Sequence, residues 1–196
     1  MSNLIPTPTI DKNGKQTTVH KKTDVVSSHV ASIPAPTLAT KKPFVKKYSP
    51  AIDAIATQAE ALIAEHGSSV VFENANAYRD GEPDTLTLND MADGENASGN
   101  CLSATLAIMR SMYDLIPGDD DPQVINIETT DESWKHTAIA SWSDDIGDYV
   151  VMDFTARQMN DDIPFPYVAA QNEWKKTIQK YADLGKLQFA ENDADY

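Results

Sequence analysis

Apolar residues between positions 50 and 66 recur at the three- and four-residue spacing of an amphipathic helix. Ser49 and Pro50 are typical of a helix start, because serine caps a helix and proline is tolerated at its first position. Gly67 is typical of a helix end. The face predicted to be buried consists of Ile52, Ile55, Ala59, Leu62 and Ile63. We therefore predict a helix over residues 50–66.

A second helical pattern begins at Cys101, the only cysteine, directly after a loop rich in glycine, asparagine and serine. Pro117 and Gly118 end this stretch. The face predicted to be buried consists of Leu102, Thr105, Leu106, Met109 and Tyr113. The thiol is thus expected at the N-terminus of a helix whose packing fixes its direction.

The pattern then changes to the alternation of apolar and polar residues that is typical of strands. The predicted strands are residues 124–128, 134–142 and 148–154. A helix around Trp174 and an edge strand over 187–189 are expected to close the chain. Because helices come first and an antiparallel sheet follows, the predicted fold class is α+β.

The first 48 residues differ from the rest in composition. They are rich in proline, threonine and lysine and lack a sustained period, so we predict a disordered basic leader over 1–48. Asn13-Gly14 is a strong turn dipeptide and predicts a short hairpin within it. Residues 49–196 are predicted to form one folded domain.

Charge separates the same two regions. Residues 1–50 carry eight lysines and two aspartates, so the formal net charge of -14 for the whole chain leaves -20 on the remainder. An acidic body does not favour nucleic acid as its ligand, because phosphate binding needs clustered lysine and arginine. One cysteine excludes an internal disulfide and a zinc site with paired cysteines.

No signal peptide and no membrane span are predicted, since no apolar run approaches about 18 residues. We expect a cytoplasmic protein, or one exported by a route without a classical signal peptide. No cofactor and no metal site are expected. Asp119-Asp120-Asp121 lacks the alternating ligands and the glycine of a calcium loop.

Cys101 is a candidate nucleophile because of its position. A helix N-terminus presents unpaired N–H groups and the positive end of the helix dipole, both of which favour a thiolate. The same N–H groups can receive the oxyanion of a tetrahedral intermediate. The alternative is a buried cysteine that acts only as a small apolar side chain.

His136 and Asp153 are the candidate partners. With a four-residue loop between strands 134–142 and 148–154, and Trp142 opposite Gly147, His136 faces Asp153 across the hairpin. A base needs its tautomer and orientation fixed by a third group, which a facing carboxylate provides. A register shift of two residues keeps both side chains on one face, so the shared face is the firmer expectation.

These residues resemble a known superfamily. Gly99-Asn100-Cys101, then His136-Thr137-Ala138, then the Asp-x-Thr-x-x-Gln segment 153–158, resemble the papain-like and transglutaminase-like cysteine enzymes, closest to the bacterial papain-fold toxin and deamidase branch. Pro164-Phe165-Pro166 and Trp174 match the layout of that branch. The resemblance covers roughly residues 95–178 and implies a papain-like core, with the nucleophile at a helix N-terminus packed on an antiparallel sheet.

By that resemblance Cys101 is the nucleophile, His136 the general base and acid, and Asp153 the orienting residue. Papain-like peptidases carry a glutamine six residues before the cysteine, whereas this chain has Glu95 there. An ionised glutamate cannot donate to an oxyanion, which puts ordinary peptidase activity in doubt. Three amides are candidates for oxyanion or substrate binding: Asn96, Asn100 and Gln158.

The resulting hypothesis is a thiol hydrolase acting on a protein amide, as a glutamine deamidase, a peptidase or a transglutaminase, in the setting of a bacterial or phage effector or toxin. A protein substrate is its expected partner, with an immunity or chaperone protein as a further one. The alternative is a non-catalytic papain-fold binding module with an acidic interaction surface. Neither a phosphate-binding glycine loop nor a Gly-x-Ser-x-Gly or His-Glu-x-x-His motif occurs.

Overall fold

The structure is a computed structural model that describes residues 8–10, 16–18, 49–79 and 82–190. The helices are α1 Pro50–His66, α2 Gly94–Ala97, α3 Cys101–Met112 and α4 Gln171–Tyr181. The strands are β1 Pro8–Ile10, β2 Gln16–Thr18, β3 Val71–Arg79, β4 Glu82–Thr87, β5 Gln123–Thr129, β6 Lys135–Ser143, β7 Asp148–Asp153, β8 Tyr167–Ala170 and β9 Leu187–Phe189.

The chain divides into two compact units, Met1–Ile33 and Pro34–Tyr196. In the first unit, β1 and β2 pair in antiparallel register with Ile10 opposite Gln16, so the predicted hairpin is present. The remainder of the predicted leader, including its expected disorder and its boundary at residue 48, lies outside the described residues.

The second unit is built on a five-stranded antiparallel sheet with the order β8-β7-β6-β5-β9. Helices α1 and α3 lie on one face, against β8 and β6, while α4 packs against β7 and β8 with the apolar residues of the other face. Helix α1 has the predicted bounds and buries the predicted face. The α+β fold class is confirmed.

The hairpin of β6 and β7 has a register that differs from the prediction. Ile139 lies opposite Met152 and Ser143 opposite Asp148, so the four-residue loop occupies 144–147 and the pairing is shifted by two residues. Asp153 is therefore a diagonal neighbour of His136 and not its direct partner. An even shift keeps the two side chains on one face, because side chains alternate with period two along a strand.

Helix α3 is buried along a stripe that differs in part from the predicted one: Thr105 is buried as predicted, whereas Leu106 and Met109 are only half-buried. Its buried residues are Ala104, Thr105, Ile108 and Met112. By contrast, Leu102 is 41% exposed and Tyr113, which lies beyond the helix end, is 38% exposed. The partly exposed Cys101 lies in line with this stripe, with Thr105, Ile108 and Met112 following it at helical spacing. Contacts with β6 and β3 select this face, and they turn the cysteine toward the sheet.

Among the described residues, no helix is both long and apolar enough to cross a bilayer.

Candidate active site

The loop before Cys101 is fixed by the side chain of Asn100, which is buried. Its Oδ1 accepts a hydrogen bond from the backbone N–H of Ala75 at 2.9 Å. Its Nδ2 donates to the Asn96 carbonyl at 2.9 Å and to Asn74 Oδ1 at 3.1 Å. Both amide hydrogens of Asn100 are thus engaged within the loop and with β3. Asn100 anchors the start of α3 through these hydrogen bonds, and its role at an oxyanion stays a prediction.

Gly99 allows the turn that leads into this anchor. Its φ is +74°, in the region that favours glycine, and a Cβ at this position would lie 2.7 Å from the Asn76 side-chain amide. A larger residue would therefore move the backbone that carries Asn100 and Cys101.

Glu95 and Asn96 lie in the short helix α2. Asp93 caps this helix and accepts hydrogen bonds from the backbone N–H groups of Glu95, at 2.8 Å, and Asn96, at 3.3 Å. Glu95 is exposed and Asn96 is half-buried. No contact decides whether Asn96 serves an oxyanion, so that role stays a prediction.

His136 and Asp153 form a hydrogen-bonded pair in the interior. His136 Nε2 lies 2.7 Å from Asp153 Oδ2, and both side chains have zero exposure. Trp174 Nε1 donates to the same oxygen at 2.8 Å, while the Thr155 N–H donates to Oδ1 at 2.9 Å. Each carboxylate oxygen therefore has a strong donor, and the buried charge is compensated without solvent.

Two tryptophans flank the His136 ring. Trp134 is stacked on it with ring centroids 5.8 Å apart, and Trp174 lies 5.9 Å away on a tilted plane. The two indoles restrict rotation of the imidazole. Because Nε2 is held by Asp153, Nδ1 is the ring nitrogen left for a reacting group.

Cys101 is partly exposed, and its thiol hydrogen-bonds to His136 and to the backbone of Thr137. Burial works to raise the pKa of the thiol, but the hydrogen bond and charge of His136 outweigh it and lower the pKa overall. Sequence reasoning placed Cys101, His136 and Asp153 together, and the fold brings these three side chains into one hydrogen-bonded chain.

The pKa values of His136 and Asp153 are shifted in opposite directions. Burial favours the neutral imidazole, yet the charge and hydrogen bond of Asp153 prevail, with Cys101 adding to them, and raise the pKa of His136 to about 10. Burial likewise favours a protonated Asp153, but the charge and hydrogen bond of His136 keep the pKa of that carboxyl below its usual range. These directions favour a thiolate, an imidazolium and a carboxylate in a row.

Gln158 also reaches the imidazole, with its Nε2 3.1 Å from His136 Nδ1. It ends the helical turn Ala156–Gln158 that follows Thr155. Arg157 holds this turn by donating to the carbonyls of Ile163, at 3.0 Å, and Ala92, at 2.6 Å. Of the three candidate amides, Gln158 is the one with a hydrogen bond to His136.

Sequence reasoning missed the donors to Asp153 and the contacts of Trp134 and Trp174 with the His136 ring. The threonine two residues after Asp153 was a usable signal, because Asx turns place an N–H at that spacing. The i, i+2 spacing of Trp134 and His136 on one predicted strand was a local signal for the first of these contacts, whereas the contact of Trp174 had none, since that residue lies on α4.

Within the described ranges, no group of three or more histidine, cysteine, aspartate or glutamate side chains is placed to hold a metal ion. Comparisons with family models, with curated proteins and with solved structures found no match to this chain.

Proposed function

We propose that this protein is a cysteine-dependent hydrolase that acts on an amide of a protein substrate. The observation that carries the proposal is the chain Cys101, His136, Asp153, in which the thiol hydrogen-bonds to the imidazole and the imidazole to a buried carboxylate. Nucleophile, base and orienting group in mutual contact are the requirement for nucleophilic catalysis by a thiol.

The reaction follows from this geometry. The Cys101 thiolate attacks the amide carbonyl, and the carbonyl oxygen becomes an oxyanion that the Cys101 N–H is positioned to receive at the start of α3. The C–N bond then breaks while His136 gives its Nδ1 proton to the departing nitrogen. Water attacks the resulting thioester, His136 takes a proton from it, and the thiolate leaves with a free carboxylic acid as product.

The proposal extends to a papain-like arrangement. The nucleophile begins a helix that packs on an antiparallel sheet, and the sheet carries the base on β6 and the carboxylate at the end of β7. The exposed Glu95, which stands where papain-like peptidases have a glutamine, favours a substrate other than an ordinary peptide bond. A glutamine side chain fits this chemistry, and its hydrolysis releases ammonia.

A role as a bacterial or phage effector or toxin belongs to the same proposal. Such a role implies a protein substrate and an immunity or chaperone protein as a second partner. The strongly acidic body would present a charged surface to either of them.

The test is incubation of the full chain with a mixture of denatured and native proteins, followed by mass spectrometry for deamidated glutamines and cleaved peptide bonds. Cys101→Ser is the matched control, because it retains the size of the side chain and removes the thiol. Products formed by the wild type and not by this variant support the proposal. Equal products from both proteins, or none from the wild type, would leave the binding module as the better description.

A further inference from the structure

The edge of β5 next to β9 is paired along only part of its length. β9 pairs with Ile127, Glu128 and Thr129, and within the described part of the chain no strand pairs on this side with residues 123–126. On its other side β5 pairs with β6 along residues 123–128. The first half of β5 therefore presents an open strand edge.

The backbone of Val124 points to this open edge. The Ala190 N–H donates to the Asn126 carbonyl at 3.0 Å, so Asn126 directs that carbonyl toward the side of β9. Backbone groups alternate between the two edges of a strand, and those of Val124, two residues earlier, therefore point the same way. An open edge of this kind is a template for pairing with another extended chain.

A cavity of about 270 Å³ lies along the same edge. It is lined by residues 123–126 together with Tyr149, Gln171 and Phe189, none of which carries a charge. Small-molecule sites usually enclose about 300–1,000 Å³. The space therefore fits a side chain of an extended segment better than a cofactor-sized ligand.

The charges beside the cavity differ between its two ends. Asp120 and Asp121 are exposed shortly before Gln123, where β5 begins. At the other end the Lys175 ammonium lies 4.3 Å from the centre of the Phe189 ring. A cationic side chain is therefore favoured at the Gln123 end, because opposite charges attract there.

We propose that the open edge of β5 is a docking site for an extended segment of a partner protein, which pairs with residues 123–126 as an added strand and carries lysine or arginine at the Gln123 end. In strand addition the main-chain hydrogen bonds supply affinity and the side chains supply specificity. The docking site does not rest on the proposed hydrolysis. A second copy of the chain is disfavoured as the occupant, since the formal net charge of -14 makes two copies repel.

The first experiment titrates the isotope-labelled full chain with the blocked peptide Lys-Val-Thr-Val-Thr-Val and follows the backbone amides by NMR. The amide signals of Val124 and Asn126 should shift. Val124→Pro removes the N–H at the open edge and leaves the hydrogen bonds to β6, because that N–H points away from β6. Loss of one hydrogen bond should weaken binding by a factor of about two to ten.

Val124→Thr is the matched control, because it keeps both the branched shape and the N–H, and it should bind the peptide like the wild type. Equal affinities of Val124→Pro and Val124→Thr overturn the main-chain pairing. Amides of residues 123–126 that do not shift at any peptide concentration overturn the docking site.

A second experiment leaves the protein unchanged and alters the backbone of the peptide. N–H groups of an extended peptide alternate between its two edges, and only one edge can face β5. The peptide is therefore N-methylated either at all its valines or at all its threonines. One of the two should lose binding while the other retains it, and equal affinities overturn strand addition.

Hydrogen exchange of the free protein tests whether the edge is open. The Val124 amide should exchange rapidly in the free protein and slowly with the peptide bound. Protection of this amide in the free protein overturns the proposal. Protection that is independent of protein concentration would then assign the edge to another segment of this chain, and protection that grows with concentration would assign it to a second copy.

The charge of the partner is tested by replacing the peptide lysine with glutamate. Binding to the wild type should weaken by a factor of about two to five, and added salt should remove the difference between the two peptides. Asp121→Asn should reduce the same difference. A glutamate peptide that binds as tightly as the lysine peptide overturns the basic partner.

Discussion

The two faces of the five-stranded sheet contribute different parts of the site. On the face covered by α1 and α3 the contacts are almost entirely apolar, and Cys101 enters as the partly exposed end of an apolar stripe. On the face covered by α4, His136 and Asp153 are fully buried, hydrogen-bond to each other and have further hydrogen bonds with Thr155, Gln158 and Trp174. Replacement of Cys101 should therefore cost little stability, whereas His136 and Asp153 are part of the core.

Cys101→Ala is expected to show the largest difference between loss of activity and loss of stability. Removing one sulfur from a partly exposed position leaves no buried charge behind, so the melting temperature should stay close to that of the wild type. Activity on any amide should disappear. Thermal unfolding measured beside the product assay checks both parts, and residual turnover above the uncatalysed rate would mean that the nucleophile is another group.

Substitution of Asp153 should lower both the catalytic rate and the stability of the fold. Asp153→Asn keeps the shape and should lower the rate by a factor on the order of 10²–10⁴, because the imidazole loses its fixed tautomer. Asp153→Ala should also destabilise the fold by about 3–5 kcal/mol, because it strips a buried ion pair of one partner. Steady-state kinetics and urea unfolding measure the two effects. A near-wild-type rate in Asp153→Asn would remove this carboxylate from the mechanism.

The corrected face of α3 can be tested with a pair of apolar truncations. Ile108 has no exposure, and Ile108→Ala should lower the free energy of unfolding by about 2–5 kcal/mol. Leu102 is 41% exposed, so Leu102→Ala should change it by less than about 0.5 kcal/mol. Urea denaturation of both variants distinguishes the observed face from the predicted one. Similar losses at the two positions would contradict the observed packing.

The smallest effect is the pH dependence of stability. Because the pKa of His136 is raised, its contribution is complete below about pH 6.5 and is lost as the pH rises toward the raised value. Because the pKa of Asp153 is lowered, its contribution is complete above about pH 4 and is lost in acid. The pair should therefore stabilise the fold most between about pH 4 and 6.5.

The lowered pKa of Cys101 makes its contribution to stability increase as the pH rises, whereas that of His136 decreases. Its contribution is complete above about pH 8.5 and is lost as the pH falls. Unfolding should therefore be measured from pH 4 to 9 in Cys101→Ala, in which only the buried pair remains, and in the same protein with Asp153→Asn. A profile that is flat in the first of these, or equally steep in both, would show that the pair does not set the pH dependence.

The sequence alone determined the order of the helices and strands, and which residues of the β6–β7 hairpin share a face of the sheet. Helical spacing fixed α1 to the residue, with Pro50 at its first position and Gly67 after its end, although the Ser49 side chain makes no capping hydrogen bond. Period two placed His136 and Asp153 on one face even though the predicted register was wrong by two residues. The alternation of side chains along a strand indicates which face of the sheet a residue lies on. A register shift of two residues leaves that face unchanged.

The tertiary structure decided the rest. Which stripe of α3 is buried depends on β6 and β3, and several residues of that helix are apolar enough to fill either stripe. Trp174 and Gln158 reach the imidazole from α4 and from the turn after β7, and their contacts arise only when these segments pack together with β6. The local sequence placed the thiol at a helix start, but a buried charge needs partners from several directions, and only folding brings them together.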